Sequence, residues 1–215
     1  MIVGKNWNYL KQKLESLCMS DFTELEYKYK ADDVKLDDFV KLLETLKPHK
    51  RLDISSWDFY YTKGPDEFVR FRKSSDNPEL TIKRKVKTSN NWERVEVDIP
   101  VDPKRINDSS VNKFLELLDY NINFKIYKSC FIFWLDNVNY VYYIVYDENM
   151  KERGRFVEVE VNKDRVNYLN STENKFTGGK SAEETLKEAA KSLETIGLIP
   201  QNRMKKSLFE LFVRS

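Results

Sequence analysis

Apolar and charged residues alternate along Thr23-Glu24-Leu25-Glu26-Tyr27-Lys28-Tyr29-Lys30, which places Leu25, Tyr27 and Tyr29 on one face of an extended strand and Glu24, Glu26, Lys28 and Lys30 on the other. The two-residue period returns further along, and it predicts eight strands near 22–30, 57–62, 67–73, 79–87, 92–99, 123–134, 139–147 and 154–161. Short breaks at Lys63-Gly64-Pro65-Asp66, Ser74-Ser75-Asp76-Asn77-Pro78, Ser89-Asn90-Asn91 and Asp136-Asn137-Val138-Asn139 make the connections antiparallel. Helical spacing appears elsewhere. Trp7, Leu10, Leu14 and Leu17 predict a helix over about 5–18, and Leu36, Phe39, Val40, Leu43 and Leu46 predict another, with Asp37 and Asp38 in its first turn and Pro48 as a stop. Val111, Phe114, Leu115 and Leu118 mark a third. Ser181-Ala182-Glu183-Glu184 is a capping box that opens a fourth, ended by Gly197, and a last short helix is expected over Lys206 to Val213.

Charge lies on one face of five of these strands. Besides Glu24, Glu26, Lys28 and Lys30, the aligned groups are Arg70 with Arg72, then Lys83, Lys85 and Lys87, then Arg94, Glu96 and Asp98, and finally Glu158 and Glu160. A solvated outer face explains one such strand, but the amphipathic helices need an apolar sheet surface to cover. The apolar faces are their natural partner, which turns the charged faces toward one another; eight closed strands enclose room for side chains or a small ligand. An interior with both signs of charge is costly unless the charges are compensated. Carboxylates hold a hard divalent cation and lysine or arginine neutralises a polyanion, so a triphosphate with its metal would satisfy both sets. Mutual salt bridging is the structural alternative.

Composition narrows the remaining classes. With 215 residues the chain is expected to form a single domain, and its 13% aromatic content favours strands over disorder. A net charge of +2 gives no footprint for duplex DNA or a membrane surface. Cys18 and Cys130 are too few for a disulfide framework, and the apolar runs are too short to span a bilayer, so a cytoplasmic protein is expected. The only histidine, His49, follows Pro48 at a helix end, which removes the usual parts of Ser-His-Asp and zinc-hydrolase schemes. Gly178-Gly179-Lys180-Ser181 lacks the preceding strand and first glycine of a phosphate-binding loop, and the capping box accounts for it.

In order, Glu24-x-Glu26-x-Lys28, Asp58-Phe59-Tyr60-Tyr61, Arg70-x-Arg72, Leu80-Thr81-x-Lys83-x-Lys85, Arg94-x-Glu96, Gly154-x-Phe156-x-Glu158-x-Glu160 and Lys206-Ser207-Leu208-Phe209-Glu210-Leu211 resemble successive motifs of the CYTH superfamily, the triphosphate tunnel metalloenzymes. The resemblance implies an α+β fold: an eight-stranded antiparallel closed barrel over about 22–162, with amphipathic helices outside, in one CYTH-like domain. It implies Mg²⁺ or Mn²⁺ held by Glu24, Glu26, Asp147, Glu158 and Glu160, and triphosphate held by Lys28, Arg70, Arg72, Lys83, Lys85, Arg94 and Lys128. Glu24, Glu26 and Glu160 would then act in catalysis through a metal-activated water. Cys130 departs from the pattern, standing where the family usually has an arginine after Lys128. The activity implied is hydrolysis of the terminal phosphate of an organic, inorganic or RNA 5′-end triphosphate. A cyclase making cyclic AMP and pyrophosphate from ATP and a non-catalytic polyphosphate binder are the alternatives.

Overall fold

The computed structural model describes residues 23–64, 67–74, 78–85, 93–102, 104–176 and 178–213, and the helix expected over 5–18 lies outside them. Among the described residues nine strands form one antiparallel sheet: β1 (Thr23–Lys30), β2 (Lys50–Thr62), β3 (Glu67–Lys73), β4 (Glu79–Lys85), β5 (Glu93–Pro100), β6 (Asn121–Trp134), β7 (Val138–Tyr146), β8 (Glu152–Val161) and β9 (Arg203–Met204). Their spatial order is β5-β4-β3-β2-β6-β7-β8-β1-β9. The expected strands are present, but β2 begins at Lys50, seven residues before the expected start at 57, because it pairs with β6 from Lys50↔Trp134 to Thr62↔Asn121. Arg51-Leu52-Asp53-Ile54-Ser55 alternates polar and apolar residues, a strand signal present in the sequence, and the long neighbour β6 supplies its backbone hydrogen bonds.

The sheet curls into a half-barrel, which corrects the expectation of a fully closed eight-stranded tunnel. Among the described residues its edges meet over three pairs only, Thr23↔Val95, Glu24↔Arg94 and Leu25↔Glu93. Further along β1 the short β9 takes the place beside it, at Lys28↔Met204 and Tyr29↔Arg203. A two-residue strand so far from the others carries no periodic signal. Shared edge positions on β1 thus replace an unbroken seam.

Apolar outer faces bind the helices, as the alternation requires. Tyr27, Tyr29, Tyr140, Tyr142, Val157 and Val159 form one core with α1 (Leu36–Thr45) and, beyond β8, with α5 (Ala182–Ser192). Buried tyrosine hydroxyls find carbonyl acceptors there: Tyr142 donates to Val34 at 3.0 Å and Tyr140 to Ala189 at 2.9 Å. A second outer core packs Tyr61, Val69 and Phe71 beneath Val111 and Leu115 of α2 (Asp108–Glu116). Between β8 and α5 lie two short helices, α3 (Lys163–Leu169) and α4 (Thr172–Phe176), too brief to show a period in the sequence. Asn174 of α4 donates to the carbonyls of Leu169 and Lys180, each at 2.8 Å, and a methyl group on Gly179 would collide with its amide. Gly179 therefore serves close packing and Gly178 takes a left-handed φ of 76°, ahead of the Ser181 capping box, which forms as expected. No described helix is long and apolar enough to cross a membrane.

The third core lies inside the curl. α6 (Leu208–Phe212) starts at a capping box in which Glu210 N–H donates to Ser207 Oγ at 3.2 Å and Ser207 N–H donates to the Glu210 carboxylate at 2.7 Å. It sends Leu208 and Phe209 against inward-facing Tyr60, Phe68 and Phe124. The Phe68 and Phe209 rings stack at 4.8 Å and those of Tyr60 and Phe124 at 4.6 Å, stoppering one end of the interior. Phe209→Ala is expected to lower stability by about 3–4 kcal/mol, read from the urea-unfolding midpoint; an unchanged midpoint would show that the stopper adds nothing to the fold.

Candidate functional site

The inner face between this stopper and the opposite mouth encloses a cavity of about 220 Å³. Strand parity brings charged side chains to it from five strands: Glu26 and Lys28 of β1, Arg70 and Arg72 of β3, Glu79 and Lys83 of β4, Glu96 of β5, and Glu158 and Glu160 of β8. Lys128 of β6 joins them. Glu26 and Glu160 are direct cross-strand partners, an arrangement of like charges that a sheet does not favour on its own.

Most of these charges pair. Lys28 Nζ lies 2.9 Å from Glu158 and 3.4 Å from Glu26, while Tyr143 O–H donates to Glu158 at 2.8 Å. Burial alone would lower the Lys28 pKa, but the two carboxylates outweigh it and hold the ammonium charged. Burial likewise pushes Glu158 up, and Lys28 with Lys128 pulls it well down. Arg72 forks onto Asp58 at 2.8 and 2.9 Å. Asp58 is fully buried, and Arg72 offsets its desolvation so that its carboxyl stays far below the usual range. Glu79 accepts from Arg70 at 2.7 Å and from Arg72 at 3.2 Å, Arg70 also donates to Thr81 at 2.9 Å, and Lys83 pairs with Glu96.

Two groups are compensated poorly. Lys128 is 6% exposed, and its carboxylate contact, Asp58 at 4.0 Å, is already gripped by Arg72. Its ammonium sits 4.2 Å over the Tyr143 ring, and burial together with the neighbouring Arg72 lowers its pKa. Glu160 has the opposite shortage. It accepts from Asn139 Nδ2 at 3.1 Å, yet burial, reinforced by the charges of Glu158, Glu26 and Glu96, raises it from 4.5 to about 7. The cavity therefore calls for an additional cation beside Glu160 and an additional anion beside Lys128.

Eight of the twelve expected site residues line this cavity: Glu26, Glu158, Glu160, Lys28, Arg70, Arg72, Lys83 and Lys128. Backbone register sets Glu24 opposite Arg94 and Arg94 opposite Lys85, two residues along their strands from Glu26, Glu96 and Lys83; their side chains lie outside the description. Asp147, expected among the metal ligands, is not one of the residues that line the cavity. It shapes the turn from β7 to β8, accepting from the N–H groups of Asn149 at 2.9 Å and Lys151 at 3.0 Å. Turn-forming Asp after a strand gives the same sequence signal as a ligand. Asp58, Glu79, Asn139 and Tyr143 were missed as individual site residues. Asp58 and Glu79 share inward parity with Tyr60 and Lys83, a signal available in the sequence; Asn139 and Tyr143 had none.

The donor set suits a hard divalent ion in its chemistry: Glu26, Glu158 and Glu160 offer carboxylate oxygens, and a cation would relieve the crowding that raises Glu160. Among the described residues no three such groups already converge at ligand spacing. Glu158 is drawn instead toward Lys28 and Tyr143.

Asp58→Asn is expected to destabilise the fold by about 3 kcal/mol, because it leaves Arg72 buried without its bidentate acceptor; chemical denaturation measures this. Glu160 keeps its proton longer when folded than when unfolded, so its stabilising contribution is present below about pH 4.5 and is lost as pH rises through about 7. Glu160→Gln should therefore raise metal-free stability at pH 8 by roughly 2–3 kcal/mol and change it little at pH 4. Equal effects at both pH values in thermal unfolding would refute this assignment.

No protein-family profile matches the chain, and no curated protein matches it by sequence. Solved structures do. A conserved hypothetical protein from Pyrococcus furiosus has a TM-score of 0.64 at 23% identity, over 88% of this chain and 99% of that one. A candidate adenylate cyclase from Vibrio parahaemolyticus has a TM-score of 0.57 at 14% identity, covering 87% and 96%. The capping enzyme triphosphatase of Mimivirus has a TM-score of 0.52 at 14% identity, covering 91% and 98%. Identities at this level carry the fold and leave the activity open. In its architecture, then, this chain shares the fold of these solved structures, the viral triphosphatase and the candidate cyclase among them.

Proposed function

We propose that this protein is a metal-dependent triphosphatase that removes the terminal phosphate of a triphosphate. The observation that carries this reading is the arrangement within one cavity: Glu160 sits across the sheet from a second carboxylate, Glu26, and among the described residues the ammonium of Lys128 has as its carboxylate contact only Asp58, at 4.0 Å and already held by Arg72. A divalent ion with a polyphosphate supplies the cation and the anion that these groups call for. The structural likeness to a viral triphosphatase supports the same reading.

Arg70, Arg72, Lys83 and Lys128 would bind phosphate oxygens, with the guanidinium forks suited to bidentate contact. Asp58 holds Arg72 in place from beneath, so that little reorganisation is needed when phosphate replaces Glu79 as its second acceptor. The enclosing strands keep bulk water away and strengthen each of these contacts. Glu26, Glu158 and Glu160, with Glu24 two residues along β1, would hold Mg²⁺ or Mn²⁺, which when bound would supply Lewis acidity toward phosphoryl oxygen and water. Lys28, now on Glu158, would turn to the phosphate chain as that carboxylate takes up its ligand role.

Likeness to a candidate cyclase makes cyclic AMP formation the rival reading. Incubation with ATP, tripolyphosphate or triphosphate-ended RNA is expected to release orthophosphate with Mg²⁺ or Mn²⁺ and none with EDTA. Lys128→Met should lower kcat/KM by roughly 100-fold without unfolding the chain. Cyclic AMP with pyrophosphate would establish the rival, and tight binding without any product would make the protein a binder.

A further inference from the structure

Glu96 of β5 points into the cavity, so strand parity turns Val95, Val97 and Ile99 outward, where Val97 lies across from Ile82 of β4 and Ile99 from Leu80. Helices cover the outer surface on either side of this strip: α1 and α5 over β1, β7 and β8, and α2 over β2 and β3. Among the described residues Val95, Val97 and Ile99 belong to none of the apolar cores, and Ile99 is 56% exposed. One wall of the strip is α2. It runs beside β3, with Lys73 donating to Asp108 at 2.9 Å at its start and the Tyr120 hydroxyl donating to Glu67 beyond its end. Asn112 accepts from the Tyr61 O–H on the β2 side, so Phe114, about 200° around the helix, stands on the β4 side. Phe114 is 55% exposed. A large aromatic ring and an isoleucine thus flank half-buried valines in a shallow apolar groove, the kind of surface that marks a contact.

The sequence offers an occupant next to it. Thr23, the first residue of β1, lies opposite Val95, and the two strands are antiparallel, so the backbone enters β1 from the side on which Val97 and Ile99 lie. Before that entry, Trp7, Leu10, Leu14 and Leu17 repeat at helical spacing over 5–18, and Met19 to Phe22 separate them from β1. Those four residues span up to about 13 Å, more than the roughly 10 Å between packed layers. A helix over 5–18 would be about 21 Å long, against about 26 Å for β5. Direction, reach, length and apolar stripe all match the groove.

We propose that the segment 5–18 is the cover of this groove, laying Trp7, Leu10, Leu14 and Leu17 over the outer face of β5 and against Phe114. Continuous with β1 and packed on β5, it straps together the two edges that meet at Thr23↔Val95. Hydrogen–deuterium exchange of the full 215-residue chain, read by mass spectrometry, tests this. Amides of 5–18 are expected to exchange roughly 100-fold more slowly than in an unfolded chain. Ile99→Glu combined with Phe114→Glu, both at exposed positions, should remove at least about tenfold of that protection and leave the amides of β6, β7 and β8 as they were. Leu10→Glu with Leu14→Glu should do the same from the other side of the contact. Ile122→Glu, 54% exposed and opposite Tyr61 on the β6 side of α2, should change nothing. Wild-type amides of 5–18 that exchange at the unfolded rate overturn the proposal, as does protection that survives both pairs of substitutions. Protection that fades on dilution, while a dimer dissociates in analytical ultracentrifugation, gives the groove to a second copy and overturns it too.

Discussion

Opposite charges held together in a confined interior are the constraint on which this molecule turns. Strand alternation sends Arg70, Arg72, Lys28, Lys83 and Lys128 into the same cavity as Glu26, Glu79, Glu96, Glu158 and Glu160. Removing so many ions from water is unfavourable unless each finds a counter-charge at hydrogen-bonding distance. Asp58 anchors the basic side and Lys28 ties β1 to β8 on the acidic side. What these pairs leave uncompensated, at Glu160 and Lys128, is where the structure departs from a self-contained salt-bridge network and becomes a site.

The outer surface makes that inner arrangement sustainable. Valines and tyrosines on the reverse of β1, β7 and β8 pack against α1 and α5, and Phe71 with Val69 packs beneath α2. Burial of these apolar faces supplies the driving force for curling the sheet, which the charged faces alone would oppose. Rigid strands then hold ionic groups at fixed separations, as a preorganised site needs.

Much of this was legible from alternation. The charged residues of β1, β3, β4 and β8 announced their common face, and the capping residues Ser181 and Ser207 announced the helices they open. Closure was less legible, because which strands become neighbours depends on curvature that a period of two does not encode. The register that joins β1 to β5 over three pairs, and gives the rest of that edge to β9, is a property of the whole sheet. Asp147 shows the opposite limit: an acidic residue at a strand end serves a turn or a ligand set equally well until its hydrogen bonds are seen. Asn139 carried no motif at all, since its importance comes from the Glu160 carboxylate it meets across the strand pair.

The short seam between β1 and β5 has a mechanical meaning. Glu26 stands on one bank of it, Lys83 and Glu96 on the other, and among the described residues three residue pairs join the two edges directly. A guest gripped by groups on both banks would act as a staple, adding side-chain cross-links to those of the backbone. Occupancy and tightening of the tube would then be two aspects of one equilibrium, with part of the binding free energy spent on drawing the banks together.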